Sequence, residues 1–190
     1  MNDMDSSSRQ NRTENNDSLD PGTLSTEKAA SSSQDFDKAF QQGTKLLHHG
    51  LAAESIPYLE QAFALQPDNA DAVINLSGAY IMTKKFNKAV VILEPTSGQI
   101  PNHAKLWINL GAAYLGNPIL ARDAEQEKAI FAFERALEID PIAPSVAYNI
   151  GLIYRDRRDS DRAIHWFRQA VKHNPNDKDA RSLLRRLESE

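Results

Sequence analysis

The chain has no cysteine among its 190 residues. That absence removes disulfide frameworks, thiolate nucleophiles and sulfur metal sites, and with them the usual signs of an exported or redox-active protein. Long apolar runs are missing too: no stretch approaches the roughly 18 apolar residues that a membrane helix needs. The start, MNDMDSSSRQ, has neither the basic residues nor the apolar core of a secretory leader. A soluble, unexported protein of the reducing cytoplasm is the expectation. There is no glycine-rich phosphate loop, nucleophile elbow or paired-acid motif. The five histidines, His48, His49, His103, His165 and His173, do not fall at ligand spacing beside carboxylates, so no metal site, no cofactor and no enzymatic activity are expected.

Charge of one sign is scarce over most of the chain. Residues 1–35 hold seven acids against three bases, which accounts for the whole formal charge of -4. Residues 36–190 therefore balance, and a surface without a net field attracts polyanions poorly. The same first 35 residues are mainly Ser, Asn, Asp, Gln and Thr, with Leu19 and Leu24 as their large aliphatic side chains. They cannot bury enough apolar area to offset the entropy of ordering, and a disordered polar acidic tail is expected there. Its serine runs, Ser6 to Ser8 and Ser31 to Ser33, fit a linker, with a regulatory tail as the alternative.

What the sequence does contain is one pattern written four times. Aligning Gly43, Ser77, Gly111 and Gly151 also aligns Leu46, Tyr80, Tyr114 and Tyr154, then Ser55, Ala89, Ala129 and Ala163. Leu59, Leu93, Phe133 and Phe167 follow, then Ala62, Thr96, Ala136 and Ala170, and each copy closes on Pro67, Pro101, Pro141 or Pro175. Apolar residues recur at helical spacing in both halves of a copy, as in Leu106, Leu110 and Tyr114 and again in Ile130, Phe133 and Leu137. Each copy thus reads as two antiparallel helices, with Asp35, Asn69, Asn102 and Asn176 expected as N-caps. Small residues let the two helices approach, and the large residue a turn away fills the gap beyond. Because one hairpin cannot cover its own apolar face, the copies must stack into a curved solenoid.

A period of about 34 residues with this order of small, aromatic and proline positions resembles the tetratricopeptide repeat family. Trp107, Leu110, Gly111, Tyr114, Ala129, Phe133, Ala136 and Pro141 match the family pattern in the third copy. The resemblance covers about four fifths of the chain. It implies an all-α, right-handed solenoid of four helix-turn-helix repeats (36–69, 70–103, 104–143 and 144–177) with a capping helix over 178–190, preceded by the disordered tail. In that cap, Ala180, Leu183, Leu184 and Leu187 form one apolar face.

Two departures stand out. The closing prolines are spaced by 34, 40 and 34 residues, so the third copy carries extra residues between Tyr114 and Ala129. Asn117 and Pro118 suit a helix start, and a second helix beginning there would project by about 9 Å at about 1.5 Å per residue. A partner contact or a harmless extension are the two readings of that projection. Pro95 removes a donor inside the second helix of the second copy, which should end or kink near Val91.

The resemblance also points to an inner surface formed by the first helices, which would hold a peptide or protein segment. Two positions before the shared small residue stand Gln41, Asn75, Asn109 and Asn149, a ladder of carboxamides. Each offers two donors and an acceptor, enough to pair with a peptide backbone whatever its side chains. Some family members grip extended peptides with such a ladder, although asparagine is frequent at that position in the family generally. One position earlier stand Phe40, Ile74, Ile108 and Tyr148, and the last turns add Leu47, Ile81, Met82, Leu115 and Leu152. Apolar side chains not needed for stacking would leave a binding patch. The clamp by which some members hold acidic chaperone tails is matched only by Asn75 and Lys105; Phe40, Thr44 and Asn109 depart from it. A protein-interaction scaffold without that clamp is the main reading. The alternative is a structural or assembly role, through a homo-oligomer or through the basic stretch Arg155 to Arg186 meeting an acidic partner. Interleaved Asp156, Asp159 and Asp161 argue against nucleic acid.

Overall fold

The computed structural model describes residues 21–116, 122–143 and 145–189. Among them it has nine helices and no strand: α1 Pro21–His48, α2 Ala52–Leu65, α3 Ala70–Met82, α4 Phe86–Gln99, α5 Ala104–Leu115, α6 Asp123–Ile139, α7 Val146–Asp156, α8 Ser160–His173 and α9 Lys178–Glu188. Successive pairs pack as hairpins, and α9 packs against α8. The core runs through the stack. Leu59, Val73, Leu76, Leu93 and Leu106 fill its first part, and Phe133, Val146, Ile150, Ile153 and Phe167 fill its second. Trp107 and Tyr114 lie against both parts and join them.

The small positions do what the repeat requires. A Cβ on Gly43 would sit 2.7 Å from Leu59, one on Gly111 2.6 Å from Phe133, and one on Gly151 2.8 Å from Phe167. Where serines take such places, their hydroxyls donate to their own helix: Ser55 to the Ala52 carbonyl at 2.8 Å and Ser77 to the Ile74 carbonyl at 3.0 Å. A buried hydroxyl is thereby kept satisfied.

The hairpin turns share a left-handed residue in one register, Gly50 (φ 76°), Lys84 (φ 59°) and Arg158 (φ 59°). Behind each, an amide reaches back five residues: Leu51 to Leu46 at 3.0 Å, Lys85 to Tyr80 at 2.8 Å and Asp159 to Tyr154 at 2.9 Å. These closures satisfy helix-end carbonyls. In the third hairpin Gly116 (φ 52°) turns the chain instead, at the beginning of the insertion.

Several expected boundaries move. α1 starts at Pro21, so Asp35 lies inside a helix rather than capping one. The part of the expected tail from residue 21 onward is a helical lead-in, in keeping with the low cost of propagating a helix once its first turns exist. Ser31 to Asp35 are all exposed, and buried packing begins at Phe36. Residues 1–20 of that tail lie outside the described residues. Asn69 caps α3 as expected, accepting from the Ala72 amide at 3.1 Å. His103 rather than Asn102 precedes α5, and Asp177 rather than Asn176 caps α9, accepting from the Asp179 and Ala180 amides at 3.0 and 2.9 Å.

α4 runs through Pro95 to Gln99 instead of ending near Val91. Pro95 and Val91, whose carbonyl loses the Pro95 donor, both lie on the exposed side of the helix, where water can take that carbonyl; the hydroxyls of Thr96 and Ser97 bond back to Ile92 at 2.8 Å and Glu94 at 3.1 Å. The helix thus continues across a missing bond that faces solvent.

Candidate functional site

The first helices of three hairpins, α1, α3 and α5, pack side by side, so Phe40, Gln41, Ile74, Asn75, Lys105, Ile108 and Asn109 form one row. Tyr148, Asn149 and Leu152 stand on α7, which packs on α6. Phe40 stacks on Phe36, with ring centroids 5.5 Å apart, and Tyr148 leans on Phe167 at 5.8 Å. Ile74, Ile108 and Leu152 are half-buried against the core, Leu115 is buried, and Gln41 and Lys105 are exposed. Met82 is the open apolar member, 58% exposed.

The carboxamide ladder divides into two kinds. Asn75 donates to the Thr44 hydroxyl at 2.8 Å, and Asn109 donates to the Ile74 carbonyl at 3.1 Å and to the Ser77 hydroxyl at 2.9 Å. These bonds tie each first helix to the one before it, so the amide donors of Asn75 and Asn109 serve the stack. Gln41 and Asn149 form no such bond among the described residues. With Asn75 engaged on Thr44, the partial match to an acidic-tail clamp weakens further.

A second ladder joins tyrosines of the first helices to glutamates of the second helices before them. Tyr80 donates to Glu60 at 2.5 Å, and Tyr114 donates to Glu94 in the same register one copy on. The hydrogen bond from Tyr80 holds Glu60 below its ordinary pKa, while burial, followed by its carboxylate partner, pushes each phenol upward. The signal was present as a glutamate 20 residues before each tyrosine. The third pair, Glu134 and Tyr154, breaks the rule. Arg162 and Arg157 cover the Tyr154 ring at 4.9 and 6.0 Å, and burial, with Glu138 and Glu127, raises the Glu134 pKa.

That break coincides with the insertion. α6 has 17 residues against 14 in α2, α4 and α8, an extension of about 4.5 Å at about 1.5 Å per residue, half of the expected projection. Residues 117–121, including the expected Asn117–Pro118 start, lie outside the described residues. The start of α6 is not free. Arg157 reaches across from the following hairpin and donates to Gln126 Oε1 at 2.7 Å, to Glu127 at 2.6 Å and to the Asp123 carbonyl at 3.3 Å.

Other arginines in the basic C-terminal stretch are also paired, Arg155 with Asp156, Arg162 with Asp159 and Arg168 with Glu188. The local excess of base is partly neutralised within the chain. Among the described residues no group of His, Asp and Glu is placed to hold a metal ion, and no helix is long and apolar enough to cross a membrane.

Stacked helical hairpins, tied through their first helices and carrying side chains that the stack does not use, define an α-solenoid of the protein-interaction class. The chain belongs to the tetratricopeptide repeat family: models of that repeat match residues 46–114, 119–142 and 144–177. Among its relatives, human protein O-mannosyl-transferase TMTC3 is 30% identical over 102 residues, 54% of this chain and 11% of that protein. Mouse tetratricopeptide repeat protein 7B is 27% identical over 168 residues, 80% of this chain and 19% of that protein. The chain thus spans at most a fifth of the length of these curated relatives. Solved structures share the fold. A MamA protein superposes with a TM-score of 0.70 at 20% identity, covering 83% of this chain and 82% of its own. TTC0263, a thermophilic tetratricopeptide repeat protein of Thermus thermophilus, gives 0.68 at 20% identity, covering 80% of each chain.

Proposed function

We propose that the chain is a non-enzymatic scaffold whose first-helix face holds an extended or helical segment of a partner protein. The observation that carries this reading is the set of side chains left over from stacking. Met82 is 58% exposed, Ile74, Ile108 and Leu152 are half-buried, and among the described residues Gln41 and Asn149 keep their carboxamides free of the inter-repeat bonds that occupy Asn75 and Asn109. An apolar strip flanked by uncommitted amides suits a peptide, whose side chains seek the first and whose backbone seeks the second. Membership of a family of interaction scaffolds supports the general class.

A photo-crosslinking residue placed at Met82 should capture a partner that one placed at Val91, 71% exposed on α4, does not. Equal capture from the two positions would count against the groove. A second reading, self-association through the second helices, is favoured by Val91 and by Phe131, 58% exposed on α6. Sedimentation that gives a monomer at every concentration would dismiss it.

A further inference from the structure

Where α7 begins, α8 ends and α9 begins, the fold forms a cavity of about 270 Å³, open on one side to solvent and lined by Ile142, Tyr148, Ala170, His173, Asn174 and Asp177. We infer that this cavity takes the arginine side chain of a bound protein segment, its guanidinium held by Asp177 and stacked on the Tyr148 ring. The inference rests on the groove reading only in taking the ligand to be part of the bound segment.

The residues suit that occupant in four separate ways. Ile142 and Ala170 provide apolar wall for an aliphatic stem. The tyrosine ring offers a π face, on which a planar guanidinium stacks better than a compact ammonium. Asp177 presents a carboxylate of which Oδ1 accepts from the Asp179 and Ala180 amides, so its orientation is fixed before any ligand arrives. The carbonyl end of the 14-residue α8 closes at His173 and Asn174, where the helix dipole favours a cation.

The starts of α7 and α9 also meet here and would favour an anion on their own. The α9 start is already answered by Asp177. The Tyr148 phenol registers the balance: burial first, then Asp179 and Asp177, raise its pKa against the opposing effect of Arg155, and Arg155 is itself paired with Asp156 at 2.6 Å. Asp177 and Asp179 are thus the acids that act on the Tyr148 phenol.

The arrangement belongs to one copy. Taking Tyr148 with the residue two places past its closing proline, the equivalent pairs are Phe40 with Asn69, Ile74 with His103 and Ile108 with Ala143. Only the fourth copy joins a phenol to a carboxylate. Repetition of the fold explains a residue at each place but not this combination.

The test is an amide-shift titration of the full chain, isotopically labelled, with Nα-acetyl-arginine methylamide and with its neutral isostere, the citrulline derivative. Arginine should produce saturable shifts at Tyr148, Ala170 and Asp177 with a dissociation constant on the order of millimolar, and citrulline should bind about fivefold more weakly or not at all. Asp177→Asn keeps the helix cap and removes the charge, and should weaken arginine about three- to fivefold without lowering the melting temperature. Shifts absent up to about 50 times that concentration scale, equal binding of citrulline, an unchanged constant in Asp177→Asn, or inorganic phosphate moving the same amides in place of arginine would each overturn the assignment. Loss of arginine binding alone leaves the groove untouched, because the Met82 and Val91 crosslinks report on the groove independently.

Discussion

Two glycines in neighbouring first helices should respond in opposite directions to the same change. Gly111 in α5 would place a Cβ 2.6 Å from Phe133 Cδ1 and Cε1 and 3.0 Å from its Cγ, whereas a Cβ on Gly78 in α3 would meet nothing within 4 Å. Replacing a helical glycine by alanine is worth about 1 kcal/mol through backbone entropy. At Gly78 that gain stands alone, and Gly78→Ala should stabilise the protein by about 0.5–1 kcal/mol. At Gly111 the ring cannot withdraw, since Phe133 is fully buried, and overpacking of about 1–3 kcal/mol opposes the gain. The contacts are tight enough to place the penalty in the upper part of that range, for a net loss of about 1–2 kcal/mol. Urea unfolding followed by helix circular dichroism reads both variants. With a slope of about 1–3 kcal/mol per molar, the midpoints should separate by roughly 1 M, one above and one below the unmodified chain. A Gly111→Ala midpoint at or above that of Gly78→Ala would refute the claim that helix approach, rather than turn flexibility, fixes the small residue.

Arg157→Ala removes the three bonds that hold the start of α6. It should cost about 1–2 kcal/mol and speed amide exchange at the start of α6 while leaving α1 to α4 protected. Tyr80→Phe should lower stability by about 1 kcal/mol with a pH signature. Glu60 has its pKa depressed by Tyr80, so this contribution is present above the ordinary carboxylate pKa of 4.5 and is lost as pH falls through the lower folded value. The gap between variant and parent should therefore narrow in acid, and thermal melts across that range check it.

How much of this could be read beforehand follows from the kind of force involved. The four-hairpin stack was legible because helix approach leaves a hard steric imprint, seen at Gly43, Gly111 and Gly151. Boundaries were less legible. Lys84 and Arg158 occupy a left-handed turn register that only Gly50 announces, and Pro95 looks like a helix break until its exposed position shows that the missing bond faces solvent. The candidate groove was half legible: its positions followed from the register, but the destination of each carboxamide did not. Asn109 finds Ser77 because the second copy carries serine where Gly111 stands in the third, a pairing across copies that no single helix reveals. The Arg157 bracket was hidden for the same reason, since its partners lie about 30 residues away in the one copy that departs from the period.

The division of the ladder changes which residues test binding. Asn75 and Asn109 hold the stack together, so their loss would confuse folding with recognition. Asn149 and Met82 carry no such bond, and the decisive measurement is calorimetric titration of the crosslinked partner, once purified, against Asn149→Ala combined with Met82→Glu. At least about tenfold weaker binding, roughly 1.4 kcal/mol, is expected with an unchanged melting temperature, while Val91→Glu binds as the parent does. Undiminished affinity in the double variant, or loss in Val91→Glu instead, would contradict recognition by the first-helix face.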